Sequence, residues 1–296
     1  MNIKKLRTAG MVCNFALCGI FVYLVIFPQK ATAPTAEAVL FCAKSIIPAL
    51  FVYMVLSRRI MAITSVKRLC AHSLWGGIFT VVMGIACGFP SGAKNCVYLY
   101  EQGVISRTRG EFLCCVSTLP SVSFILAFAG QGVLGSIKDG LRLFGILVSA
   151  NLITAAFFYI LFYRKEKYKT EKNIKIPPRN EGITEAVGEC AYLIVKICGF
   201  IICFSVLGML ISEPFGRKSL LGVIIRGLFE FSGGIAASAV FDHGTKKALL
   251  ALFLGFGSFS AIFQVVSIIK GYFSLKRFFI YRVAVGLTAC LLAMIT

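Results

Sequence analysis

Charged side chains are scarce in this sequence. Only 15% of its residues are Asp, Glu, Lys or Arg, against about 25% in a soluble domain. With two histidines and no paired CxxC spacing, the chain lacks the ligand pattern of a zinc site. It also lacks a hydrolase elbow, a phosphate loop and a dinucleotide fingerprint. These absences argue against an enzyme; no cofactor and no metal is expected. Acidic residues are the scarcest charges, 12 against 31 basic ones, for a net charge of +19. The excess does not indicate nucleic acid, because Lys and Arg sit in short connections between apolar runs, as the positive-inside bias predicts.

What fills the chain is hydrocarbon. Hydrophobic residues make up 58% of it, and residues 9–27, 112–137, 143–163 and 248–269 are free of charge. At 1.5 Å per residue, about 20 such residues cross about 30 Å of lipid. The expected fold is therefore all-α: one integral membrane domain over residues 1–296, with about 8 membrane helices or hairpins. The twelve cysteines lie mostly inside these runs and read as small buried hydrophobes.

Charge orders the spans. Lys4, Lys5 and Arg7 place the N-terminus in the cytoplasm. The run that follows, ending near Ala31-Thr32-Ala33, resembles a signal peptide but is too long, and Pro34 would follow the cut. Residues 9–27 are thus read as a retained first helix. A second helix at 38–56, kinked at Pro48, returns to Arg58, Arg59, Lys67 and Arg68 inside. Residues 69–87 are apolar, Gly88 to Lys94 form a break, and 92–102 are too few to cross. That pattern predicts a re-entrant hairpin, irregular backbone being tolerated in a bilayer only inside protein or beside water. Further spans are expected at 112–135, 141–163, 185–212, 219–241, 248–269 and 278–296. The basic stretch 164–182 reads as a cytoplasmic linker touching anionic head groups.

An internal match divides the chain. Glu37–Ala43 and Glu185–Ala191 share the pattern EAVxxCA, and Gly88-Phe89-Pro90-Ser91 matches Gly255-Phe256-Gly257-Ser258. Gly103, Ser106 and Arg109 match Gly271, Ser274 and Arg277. The expectation is two inverted repeats, 38–135 and 183–296, each with a re-entrant or broken-helix hairpin, an arrangement found in secondary transporters.

The candidate substrate-binding residues cluster at the breaks. Gly88, Pro90, Ser91 and Gly92 open a half-helix with Ser91 as N-cap, whose free N–H groups favour an anion. Lys94 and Asn95 follow in its first turn. A lysine there is offset by a carboxylate ligand, by snorkelling to a water layer, or by pairing with Glu101 or Glu230. Gly257, Ser258, Ser260 and Gln264 repeat the logic at the second tip, although membrane glycines also serve close packing. Ser117, Thr118 and Ser121 flank Pro120 as a second kind of break. Glu230, with Ser232 beside it, is a carboxylate inside an apolar span, contacting substrate or a coupling ion, or paired with Arg226 four residues earlier. His72 reads as interfacial, and Lys44 and Lys196 as snorkelling.

The stretch GFPSGAKNCVYLYEQGVISRTRGEFL at 88–113 resembles the sporulation integral membrane protein YlbJ family of the nucleoside-recognition, or Gate, superfamily. LFEFSGGI at 228–235 and GFGSFSAIFQVVSI at 255–268 are similar to its later segments. The resemblance covers roughly residues 38–290. The chain departs from the family pattern at Val116–Pro120, where an Asn-rich stretch is expected, and at Ile262-Phe263, where a His is expected. The resemblance implies a relative of concentrative nucleoside transporters that acts in the cell or forespore membrane and moves a small anionic or nucleoside-like metabolite, such as dipicolinate. The alternative is a non-transporting scaffold or assembly factor in spore formation. Expected partners are membrane lipid and a small-molecule substrate, without nucleic acid; a coupling cation and an oligomer stay open.

Overall fold

The computed structural model describes residues 3–72, 74–164 and 182–296, and among them every regular element is helical. The basic linker, from 165 to 181, lies outside the described residues, as do the side chains of Lys4, Lys5, Arg7 and His72.

A first helix, α1 (Ile3–Ile26), is followed by the long α2 (Gln29–Ala62). A π-helical turn, Cys42–Ile46, ends two residues before Pro48, where the sequence suggests a kink. A wider turn accommodates the proline ring, which would otherwise meet the carbonyl four residues back. Next come α3 (Thr64–His72), α4 (Leu74–Cys87) and α5 (Ser91–Glu101). The following span, Arg107–Leu134, is interrupted. Its first part is α6 (Arg107–Ser117), and its second, α7, runs from Val122 to Leu134, largely as π-helix. Then α8 (Ile137–Tyr163) completes the first half.

The second half repeats this order. The long α9 (Ile183–Phe215) precedes two short helices, α10 (Leu220–Phe229) and α11 (Phe231–Ala237). A span interrupted at Gly257, His243–Ile269, consists of α12 (His243–Phe256) and α13 (Ser258–Ile269), and α14 (Leu275–Ile295) follows. Among the described residues six helices are long and apolar enough to cross a membrane, three in each half. The protein is a polytopic α-helical membrane protein.

Polar contacts mark the two ends of the bundle. At one end Arg109 donates to the Ala71 carbonyl at 2.9 Å, and Arg277 pairs with Glu111 at 3.0 Å. Tyr163 also donates to Glu111, at 2.9 Å, and Tyr272 donates to Glu101. At the other end Lys30 and Arg217 meet Glu213, and His243 lies 3.5 Å from Asp139. Ala71 and Glu101 share an end, so α4 and α5 enter and leave on one side as a hairpin. Arg217 and His243 share the opposite end, so α10 and α11 form a second hairpin there. Three crossings per half reverse the direction of the second half relative to the first.

The second hairpin is not where the sequence matching put it. Gly255–Ser258 is the break of a continuous span, and residues 220–240 carry the hairpin, with Glu230 extended at its tip (φ −145°, ψ 116°). The matched residues share local chemistry, not position in the fold. Gly88 and Gly257 are both left-handed (φ 76° and 90°) just before a helix starts. Ser106 and Ser274 both cap helices, each accepting from the arginine N–H three residues on at 3.3 Å.

The interrupted spans sit at the centre. The most apolar stretches of Arg107–Leu134 and His243–Ile269 are 67% and 78% buried, against 28% for α2 and α9. The outer helices therefore offer their apolar surface to lipid.

Candidate functional site

The four irregular points meet in the interior. Gly88, at the first hairpin tip, approaches the break of the first interrupted span so closely that a Cβ would lie 2.7 Å from Ser121 N. The same tip reaches the other half, where Phe89 Cζ lies 2.7 Å from the Cβ position of Gly257. The second tip reciprocates: the rings of Phe231 and Phe124 are 5.3 Å apart, and those of Phe229 and Phe259 5.5 Å apart. Each tip thus lies beside both interrupted spans.

Arg282 joins these points. It is fully buried on α14 and donates to the carbonyls of Leu254, Gly255 and Phe256 at the end of α12. It also donates to Thr118 O at 2.5 Å, and its guanidinium lies 5.0 Å from the Phe89 ring centre. Helix ends leave carbonyls without partners, and one guanidinium carries five donors in a rigid fork. Sequence reasoning passed over Arg282, although it is the sole charge in 278–296. A lone charge inside an apolar span was the available signal.

Around the first tip the expected residues divide. Ser91 is not an N-cap: Pro90 holds that place, Ser91 is the first helical residue, and its buried hydroxyl has no partner among the described residues. The close turn at Gly88 carries Ser91 into the helix, where its hydroxyl faces a cavity. Gly92 serves packing, since a Cβ there would lie 2.5 Å from Ser117 O. Ser117 fills the hairpin seam between Gly84 and Gly92. Thr118 bonds back to Cys114 O, and Ser121 caps α7 through Phe124 N at 3.3 Å. Asn95 donates to Ser57 at 2.9 Å.

The charge that offsets Lys94 comes from neither Glu101 nor Glu230. Glu189 of α9 lies 3.5 Å from Lys94 and 3.3 Å from Arg58. Ser91, Lys94, Asn95, Arg58 and Glu189 line a cavity of only about 20 Å³, about one water in size. At the second break Ser258, Ser260 and Gln264 are buried and satisfy local partners. Ser258 accepts from Ala261 N at 3.5 Å, and Gln264 donates to Ser260 at 3.4 Å.

Glu230 and Ser232 belong to a separate, larger cavity of about 200 Å³, lined also by Glu37, Arg226, Phe41 and Phe128. Glu230 is 1% exposed and caps α11. Its Oε2 accepts from Gly233 N at 2.9 Å and from the Ser232 hydroxyl, while Oε1 has no partner among the described residues. Arg226 Nη2 and Glu230 Oε2 each lie 3.7 Å from the Cβ position of Gly233, so they are within about twice that distance of each other. No ion pair closes the gap among the described residues. The candidate residues therefore occupy two cavities and one packed seam, not a single chamber.

No family model matches the chain, and no solved structure does. Among curated proteins it is similar to the sporulation integral membrane protein YlbJ of Bacillus subtilis (strain 168). The two are 23% identical over an alignment of 344 positions, which takes in 100% of this chain and 84% of the relative. This likeness agrees with the family resemblance read from the sequence. Full-length coverage means that the YlbJ likeness extends over both hairpins and both interrupted spans.

Proposed function

We propose that the protein is a transporter or facilitator for a small organic anion, acting in the membrane during sporulation. The sporulation role rests on the relative's name, and a dipicolinate-type dicarboxylate is the substrate class that the family resemblance implies. One observation carries the transport reading: two oppositely directed hairpins bring their tips to the breaks of two central spans. Interrupted helices cost backbone hydrogen bonds in a bilayer, and they are kept where they line a ligand path. A rigid scaffold has no need of them.

The 200 Å³ cavity is the proposed ligand site. Arg226 supplies the positive charge, and Ser205 supplies a hydroxyl. The Lys94 cavity is too small for an organic anion in this conformation, and Glu189 already offsets its charge. In this reading the end bearing Arg58, Lys67, Arg107 and Lys276 is cytoplasmic, by the positive-inside rule. The Glu37 mouth of the cavity then faces the opposite side.

Reconstitution tests the reading. Proteoliposomes are offered labelled pyridine-2,6-dicarboxylate, benzoate and uridine. Saturable uptake of a carboxylate, above that of protein-free vesicles, supports it; uptake of uridine alone, or of nothing, refutes it.

A further inference from the structure

We infer that the Arg226–Glu230 cavity binds a small carboxylate together with one proton, which Glu230 takes on Oε1 as the anion docks. The inference rests on the anion-carrier reading and deepens it.

The geometry makes the two events interdependent. Among the described residues Arg226 is the one cationic side chain lining the cavity, so a ligand carboxylate docks there. That site adjoins Glu230, whose two available donors, Ser232 Oγ and Gly233 N, are both committed to Oε2. Oε1 has no donor among the described residues, and Glu230 forms part of the cavity wall. An anion beside it meets a bare carboxylate oxygen in a largely apolar space, where like charges repel strongly. One proton on Oε1 turns that repulsion into an O–H···O hydrogen bond to the ligand. The proton comes from water at the cavity mouth, where Glu37 stands exposed.

The charge count agrees. With Glu230 ionised, Glu37, Glu230 and Arg226 give the empty cavity a net charge of −1. An added monoanion with one proton leaves that sum unchanged, whereas the anion alone would double it. Among the described residues the Cys42 thiol of α2 also stands near Glu230, and Cys198 of α9 faces Cys42 in turn. The lining residues of α7 and α9, Phe128, Ser205, Gly208 and Met209, bring no charge.

The test is titration calorimetry of the purified full-length protein with pyridine-2,6-dicarboxylate and benzoate, using benzamide as the neutral control. Repeating each titration in buffers of different ionisation heat gives the protons taken up per anion bound. Above the pH at which Glu230 ionises in the empty site, the wild type is expected to take up about one proton per anion and its Kd to rise about tenfold per pH unit, and the test is read in that range. Glu230→Gln retains an acceptor oxygen for the α11 cap; it is expected to bind the anion with a pH-independent Kd and no proton uptake. Arg226→Gln is expected to lose at least about tenfold in affinity, for a charge-assisted contact. Anion binding by wild type without proton uptake, or uptake that persists in Glu230→Gln, overturns the inference. Uptake abolished by Glu37→Gln and kept by Glu230→Gln moves the proton to Glu37 and likewise overturns it. If Arg226→Gln sustains normal carboxylate flux in vesicles, this inference falls and the carrier reading stands. If the wild type neither binds nor moves any carboxylate, both fall.

Discussion

Phe89 of the first hairpin rests on Gly257 of the second interrupted span, its Cζ 2.7 Å from where a Cβ would stand. Gly257 is also left-handed, at φ 90°. Gly257→Ala therefore adds backbone strain of about 1–2 kcal/mol and a collision. The thermal midpoint of the purified protein is expected to fall, and Phe89→Ala in the same chain to restore part of the loss. The restored part measures coupling between the halves, about 0.5–3 kcal/mol for residues in contact. Strictly additive losses would mean that the two tips do not bear on each other.

Arg282 is expected to be the least replaceable residue outside the ligand cavity. Arg282→Met leaves the carbonyls of Thr118, Leu254, Gly255 and Phe256 without this donor, at about 1–3 kcal/mol for each buried group left unsatisfied. Arg282→Lys keeps the charge but not the fork. Both variants are expected to give little monodisperse protein. Normal yield and thermal midpoint for Arg282→Lys would show that charge alone suffices.

The membrane class, the span order and the first hairpin were legible in the sequence, because apolar runs and basic connections follow directly from the cost of placing charge in lipid. The second hairpin was not. Its tip is a glutamate in extended conformation, without the left-handed glycine that marks Gly88, whereas Gly257 carries that mark at a span break. Residue similarity followed local helix-start chemistry and drew the eye to the wrong element. At the site, Glu230 and Lys94 stood out as intramembrane charges, but Glu189, the carboxylate facing Lys94, comes from a helix about 95 residues later. Such cross-chain pairings leave no trace in local pattern.

Lys94→Gln is expected to have small effects. The Lys94–Glu189 pair is partly exposed, at 39% and 47%, and Arg58 remains beside Glu189. Exposed pairs contribute about 0–1 kcal/mol, so the thermal midpoint is expected to move little and anion affinity to change less than about fivefold. A loss of tenfold or more in affinity would place the anion at the first tip after all.

Topology is checked by cysteine labelling of intact cells. Asn173→Cys, in the basic linker, and Lys276→Cys are expected to react from the cytoplasmic side only, and Arg142→Cys and Lys246→Cys from the other side only. Labelling of Asn173→Cys and Lys276→Cys from opposite sides would break the count of three crossings per half.

The most direct test of the central claim is ligand-dependent thermal stabilisation. Purified wild type, Arg226→Gln and Lys94→Gln are heated with increasing pyridine-2,6-dicarboxylate, benzoate or benzamide. A ligand at 100 times its Kd stabilises the folded state by about 2.7 kcal/mol. The account predicts saturable stabilisation of wild type and Lys94→Gln by at least one carboxylate, none by benzamide, and a strongly reduced response in Arg226→Gln. Equal stabilisation of wild type and Arg226→Gln, or no response to any carboxylate, would contradict it.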